Sequence, residues 1–495
     1  MFFLNRYLNV INKCIENFKK NCYIGQPRSI LLKPIFWYLN RPWQHAFMHI
    51  SSVGHYEEDR IQKLRWNIFW HLCASSSRTT KCLELSLPNS KVIAVNEFGY
   101  NLMLKMMNEN SDQNILISPT GVAGLLAMSL LGSVGKTYDE IANSLGFSQD
   151  ILRNRLTHEL LGALLKELNT NVSSKTLYAD AIFVHRASRV RDIYRQYLHN
   201  VYDGETLSTD FKETEEAKNF INQWVKSHTE GEIENFIKMS LPTSTKLILL
   251  SAMYFRGQWK KPFVPEYTTK MNFKKTTDKV LADFMFNYGQ FDYIFSDIND
   301  LHMIALPYND STTTMYALKP RVPRRLSLSE LMSRLNYTKI DDLINQMSRK
   351  TCIIRFPKMK LESSASIENA LKSLGLKSMF TPGEANFALM LDSSIVGNQT
   401  EGELIARIKS KAMEGRNFLD LVQSLPNPGI YVDSVIHDVR MDINEYGTEA
   451  VAASAAVLSR SSEQFYADSP FYIFLRNEKT KLVTFSAVIY DPCST

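Results

Sequence analysis

The chain has 495 residues, of which 44% are hydrophobic and 22% charged, the balance of a soluble globular protein with one large domain or several ordinary ones. No apolar run reaches the roughly 18 residues that span a bilayer, so no membrane segment is expected. The net charge of +6 is unevenly spread: residues 1–90 carry 12 Lys and Arg against 5 Asp and Glu, and the remainder 45 against 46. A near-neutral body of this kind gives no sign of a nucleic-acid partner.

Cysteine usage follows the same division. Cys14, Cys22, Cys73 and Cys82 precede residue 90, and only Cys352 and Cys493 follow it. This is no disulfide framework, and no Cys-x-x-Cys occurs. His45 and His49 have a spacing open to zinc, but no cysteine pair or glutamate accompanies them, so no metal and no cofactor is expected. Residues 1–90 show no sustained period and read as an N-terminal extension. It contains Lys63-Leu-Arg-Trp-Asn-Ile-Phe-Trp-His-Leu-Cys-Ala74, a basic lead, a short apolar run and small residues in the order of a signal sequence. A disordered or artefactual extension is the alternative.

From Val92 a helical period places Val95, Phe98, Leu102, Met103, Met106 and Met107 on one side. Asn114-Ile-Leu-Ile-Ser-Pro119 reads as a short strand stopped by proline. Residues 121–131 form an apolar helix, 138–145 a short amphipathic one, and 152–168 a longer one with Leu156, Leu160, Leu164 and Leu168 in step. Strands are expected at 176–184, 205–211 and 246–255, and helices at 191–200 and 214–228, the latter capped by Thr214. Later strands fall at 291–295, 303–307, 314–319 and 352–357, and helices at 327–335, 339–347 and 367–374. Helices gather early and strands late, which predicts an α+β fold.

Residues 444–465 are unusual. Ala450, Ala452, Ala453, Ala455 and Ala456 crowd together, and with a period of two Thr448, Ala450, Ala452, Ser454 and Ala456 form a face of small, uncharged side chains. Such a run is either an alanine-rich linker helix or a strand able to slide between other strands without burying charge.

The order of motifs in the body resembles the serpin family over roughly residues 92–492. Asn114-Ile-Leu-Ile-Ser-Pro119, Leu130-Leu-Gly-Ser-Val-Gly-Lys-Thr137 and Ile221-Asn-Gln-Trp-Val225 with Thr229-Glu-Gly-Glu-Ile233 are similar to its early motifs. Ala252-Met-Tyr-Phe-Arg-Gly-Gln-Trp259, Phe356-Pro-Lys-Met-Lys360, Asp433-Ser-Val-Ile-His437 and Phe465-Tyr-Ala-Asp-Ser-Pro-Phe471 continue the series. Ser251 stands where the family usually has Asn, and residues 390–428 read as a surface insertion in a domain covering 91–495.

The resemblance implies helices packed around three β-sheets, an exposed reactive-centre loop, and no catalysis by the chain itself. It implies a suicide inhibitor of a serine protease, a monomer, with a hinge at Gly447, Thr448, Glu449, Ala450, Val451, Ala452, Ala453 and Ser454. It also implies a polar cluster of Ser118, Asn222 and His437 beneath the central sheet, rather than a hydrolase triad. Arg460-Ser461 is the expected scissile bond and a trypsin-like protease the expected partner. Ser461-Ser462, and Leu458 for a chymotrypsin-like enzyme, are the other readings, and a non-inhibitory carrier is the alternative function. Arg186, Arg189 and Arg191, and Arg321, Arg324 and Arg325, offer weak polyanion binding or simply solvated faces. Asn171, Asn309, Asn336 and Asn398 begin glycosylation sequons, which fits a secreted, extracellular glycoprotein.

Overall fold

The N-terminal half of the body is helical because its apolar residues recur at helical spacing. In the computed structural model, α1 spans Asn89–Glu109, β1 Ile115–Ile117, α2 Pro119–Gly132 and α3 Gly135–Leu145. Helix α2 is buried along nearly its whole length, as its unbroken run of small and aliphatic residues requires. Ser118 caps it: its Oγ accepts from the Gly121 backbone N–H, and Pro119 occupies the first turn, where no N–H is needed. The helix read over 152–168 begins later than expected. A 3-10 turn at Ile151–Arg153 precedes α4, Arg155–Leu168, because the Asp150 carboxylate accepts from the Leu152 N–H and holds a separate turn.

Next come β2 (Ser174–His185), β3 (Arg189–Val190), α5 (Asp192–Tyr202), β4 (Glu205–Thr209), α6 (Thr214–His228) and β5 (Leu247–Gly257). The N-cap of α6 is Glu213 rather than Thr214, with no side-chain capping bond; Glu215 and Glu216 in the first turn favour the helix dipole instead. Strand-rich structure follows: β6 (Thr269–Lys274), β7 (Lys279–Ser296), β8 (Leu301–Pro307), β9 (Thr313–Pro320), α7 (Leu328–Arg334), α8 (Tyr337–Gln346), β10 (Ser348–Pro357), β11 (Met359–Ser366) and α9 (Glu368–Ser373). The chain closes with β12 (Leu391–Asp392), β13 (Ser434–Ile443), β14 (Glu463–Tyr466), β15 (Phe471–Asn477) and β16 (Val483–Ile489). The structure describes residues 89–168, 174–392, 422, 425–445 and 462–494. The extension 1–90, apart from its last two residues, and most of the insertion 390–428 lie outside them. All the described residues belong to one unit, Ser86–Thr495.

Among the described residues the strands form three sheets. Nine strands run in the order β1-β16-β15-β9-β8-β7-β10-β14, with β6 paired to β7; five run β11-β13-β5-β2-β4; and β12 pairs with β3. The fold is α+β, with helices around these sheets. Parity along the strands of the five-stranded sheet assigns its faces. Ala179, Ala181, Phe183, Ile248, Leu250 and Ala252 pack against Ala217, Ile221, Trp224 and Val225 of α6. Ile182, Val184, Leu247, Leu249 and Val435 point the other way, into the core that holds α2. Farther along that inner face, Met253, Phe255, Val439 and Met441 meet Phe284, Phe356, Phe471 and Phe485 of the nine-stranded sheet. No helix among the described residues is long and apolar enough to cross a membrane.

Candidate functional site

Strands β5 and β13 lie side by side in parallel, from Ser434↔Ile248 to Met441↔Phe255. Each is antiparallel to its other neighbour, β2 and β11 respectively. The chain leaves β13 at Ile443 and rejoins a sheet at Glu463, where β14 pairs in parallel with β10. The last described residues before the alanine-rich run, Asn444 and Glu445, therefore lie at one end of the parallel seam. Gly447, Thr448, Glu449, Ala450, Val451, Ala452, Ala453, Ser454, Arg460 and Ser461 all lie outside the described residues.

Side chains fasten the seam at three heights. At one end the Asp433 Oδ2 accepts from the backbone N–H groups of Lys246 and Leu247, at 2.7 and 3.0 Å. At the exit end Trp259 Nε1 donates to the Asn444 carbonyl at 2.8 Å, and its ring stacks on Tyr308 with centroids 4.3 Å apart. The neighbouring Glu445 is buried. Its Oε1 accepts from Thr268 Oγ1 at 3.0 Å and its Oε2 lies 2.9 Å from Lys358 Nζ. Burial works against the Glu445 charge, yet Lys358, the local backbone and Thr268 together hold its pKa below the usual range.

Midway, His437 faces Ser251 across the seam and Ala365 on β11. The Ser118 backbone N–H donates to His437 Nε2 at 2.8 Å, so the neutral ring carries its proton on Nδ1. Burial pushes its pKa down to about 4, opposed by the Ser251 backbone. The Ser118 hydroxyl donates to the Thr484 carbonyl at 2.7 Å and accepts from Gly121 N–H. Its proton is thus directed away from the imidazole, so this is no nucleophile and base.

Asn222 does not join the pair, which corrects the expected cluster. It sits on α6, on the opposite side of the sheet; its Nδ2 donates to the Ile237 carbonyl at 3.1 Å and its Oδ1 accepts from the Ile237 N–H at 2.7 Å. Its place is taken by Ser251 and, one strand further, Asp180, which is the register partner of Ser251. Burial pushes the Asp180 carboxyl up to about 7, while the Ser251 hydroxyl beside it pulls the other way. A single polar residue inside the apolar runs 177–184 and 247–255 was the available signal for both. Glu445, Thr268 and Lys358 left none, because only the fold brings them together.

The remaining candidates are dispersed. Arg186 pairs with Asp210 at 2.7 Å, and Arg189 and Arg191 both face Asp392, Arg191 from a buried position. Arg186 and Arg189 stay mostly exposed beside these carboxylates, as solvated faces do. Arg321 pairs with Asp297 and lies over the Phe295 ring, and Arg324 and Arg325 are exposed beside it. Asn309 is exposed in the β8–β9 turn. Asn336 is half-buried and caps α8 by accepting from the Lys339 N–H. Asn171 and Asn398 lie outside the described residues. Among those residues no three His, Cys, Asp or Glu gather as metal ligands.

Known proteins share this architecture. The sequence profile described as Serpin (serine protease inhibitor) matches residues 93–492. Plasminogen activator inhibitor 1 of Sus scrofa is 28% identical over 411 residues, covering 80% of this chain and 91% of the relative. Leukocyte elastase inhibitor of Xenopus tropicalis is 29% identical, covering 79% and 97%. The solved structure of native protease nexin-1 with heparin superposes with a TM-score of 0.66 at 24% identity, covering 81% of this chain and 99% of the other. Uncleaved ovalbumin gives 0.67 at 22% identity, covering 81% and 100%.

Proposed function

The chain belongs to the serpin family of serine protease inhibitors, and from that premise we propose that it traps a trypsin-like serine protease as a suicide substrate. The observation that carries this reading is the parallel seam between β5 and β13, placed immediately before residues 446–461. A segment that reverses direction after β13 runs antiparallel to it, and therefore antiparallel to β5 as well. Two parallel neighbours are the arrangement into which such a strand fits with the same hydrogen-bond pattern on both sides. About 14 residues at roughly 3.3 Å each would give a strand of about 45 Å. The face Thr448, Ala450, Ala452 and Ser454 brings no charge and little volume to it.

The chemistry divides between the two proteins. The protease serine attacks the Arg460 carbonyl carbon, the bond to the Ser461 nitrogen breaks, and Ser461 leaves as a free amine after taking a proton from the protease's acid. Arg460 stays esterified to the protease. Insertion of 447–460 then carries the enzyme along the sheet and deforms its active site before water cleaves the ester. An Arg at this position suits a pocket with a carboxylate at its base. The new amino terminus stays with the inhibitor, since β14, β15 and β16 hold it in the nine-stranded sheet. Ser461-Ser462 is the neighbouring alternative bond, and a serpin-fold carrier that inserts no loop is the alternative function.

The exposed sequon at Asn309 supports a secreted glycoprotein. A weak polyanion contact, by analogy with the heparin of the protease nexin-1 structure, belongs at Arg324 and Arg325, because Arg186, Arg189 and Arg191 already face carboxylates. Trypsin incubated with the full chain should yield a covalent band of summed mass on a denaturing gel. Clean cleavage after Arg460 with full protease activity remaining would defeat the proposal.

A further inference from the structure

We propose that Asp180 is a positioning residue for loop entry: with Ser251 and His437 it forms a buried polar row across three strands, and ionisation of its carboxyl loosens the β5/β13 seam. This rests on the reading of that seam as the insertion site. The row follows from register. Asp180 pairs with Ser251 across β2 and β5, and Ser251 with His437 across β5 and β13. Directly paired residues project from the same face, here the inner one, where the flanking side chains Ile182, Leu249, Val435 and Val439 are apolar.

Helix α2 crosses beneath this row at a matched pitch. Three helical residues rise about 4.5 Å, close to the spacing of about 4.8 Å between strands. Ser118 accordingly meets His437, Gly121 meets Ser251 and Gly124 meets Asp180. A Cβ added at Gly121 would lie 2.8 Å from Ser251 Oγ, and one at Gly124 3.4 Å from Asp180 Oδ2. The row is tightly enclosed yet incompletely satisfied: Asp180 Oδ1, Ser251 Oγ and His437 Nδ1 make no full hydrogen bond.

Among the described residues no cation faces the carboxyl. Its own strand offers Tyr178, whose hydroxyl is bonded to Thr120; β5 offers Ser251; α2 offers Gly124; and α4 offers Leu165. His437 stands beyond Ser251 on β13 as a neutral ring. Strand β4 begins its pairing at Ala181↔Glu205, on the other face, where Glu205 is engaged by Trp224 Nε1 and His228. A carboxylate in such a site is costly, and the cost falls if solvent reaches it. Parting β5 from β13 leaves Ser251 on an open edge and admits water beside Asp180. Opening is therefore coupled to loss of the carboxyl proton, and a rise in pH favours it.

Amide hydrogen exchange on the intact chain reads the opening without reference to any protease. We expect the amides of β5 and β13 along the seam, corrected for their intrinsic rates, to open about tenfold more often at pH 8 than at pH 6. In Asp180→Asn that dependence should vanish. Ser251→Ala keeps the carboxyl but removes the hydroxyl that favours its ionised form, so the midpoint should move to higher pH; this second variant serves if Asp180→Asn fails to fold. An unchanged pH profile in Asp180→Asn, an unmoved midpoint in Ser251→Ala, or a flat wild-type profile would overturn the proposal. A chain that traps no protease yet opens with this pH dependence would refute the suicide reading and leave this one standing. Trapping with pH-independent opening would do the reverse.

Discussion

His437 owes its neutral state to burial and to a backbone donor aimed at Nε2. A base whose folded pKa lies below its unfolded value contributes stability that is complete above the unfolded value, near 6.5. That stability is lost as pH falls toward the folded value, about 4. Protonation would also set an Nε2–H against the Ser118 N–H, two donors facing each other. Asp180 has the opposite sign: its folded pKa is raised, so acidification between about 7 and 4 relieves a strain that ionisation imposes. The two groups offset one another in the wild-type chain. His437→Gln keeps an acceptor for Ser118 but cannot titrate, so between pH 6.5 and 4 it should gain about 3 kcal/mol relative to the wild type. Urea unfolding across that range measures this, and parallel stability curves for the two proteins would contradict it.

Helix α2 shows what an element contributes beyond its own residues. Its apolar run is visible in the sequence, and so is its length. Its crossing of the strands in three-residue steps is not, because the partners Asp180, Ser251 and His437 come from strands far apart in the chain. The same limit explains Asn222: helical periodicity locates it on α6 but says nothing of the Ile237 backbone that takes up its amide. Strand β7 extends from Lys279, well before the expected 291–295, because its first half alternates exposed and buried residues while pairing with β6. An apolar-run criterion passes over such a strand. Gly121→Ala tests the crossing. The added methyl is about 1 kcal/mol better for the helix itself, but it meets Ser251 Oγ, Met253 Sδ and Ser118 Oγ within 3.1 Å. Overpacking of about 2–3 kcal/mol should prevail and leave the variant less stable by about 1–2 kcal/mol. A rise in the urea midpoint would show slack between helix and sheet.

At the scale of the whole molecule, the native sheet falls one strand short of its most stable form if 447–460 can enter it. A strand paired on both sides adds on the order of 10 kcal/mol of hydrogen bonding, at about 1 kcal/mol per bond. Cutting the chain within 446–461 should then raise the melting temperature by about 10 °C or more. Thr448→Arg should abolish the rise, because it would bury a guanidinium in the inserted strand. A cleaved wild-type chain that melts unchanged would favour the carrier reading. The order of motifs along 92–492 made the fold class legible, since no single one is specific but their succession is. Of the three fastenings of the seam only the middle one was legible: the resemblance placed Ser118 and His437 together, whereas Asp433 with Leu247 and Trp259 with Asn444 are pairs that only the finished sheet brings together. The register of β1 with β16 has a further consequence, in time. Asn96 on α1 accepts from the Val483 N–H, 387 positions later in the chain. At about 5–20 residues per second of synthesis, the first helix waits about 20–80 s for its partner to be made. During that wait α2, made next, can cover part of the hydrophobic flank of α1, but the Asn96 amide and the edge of β1 stay unpaired on a growing chain, and this early, long-lived edge is where chaperones have most to protect.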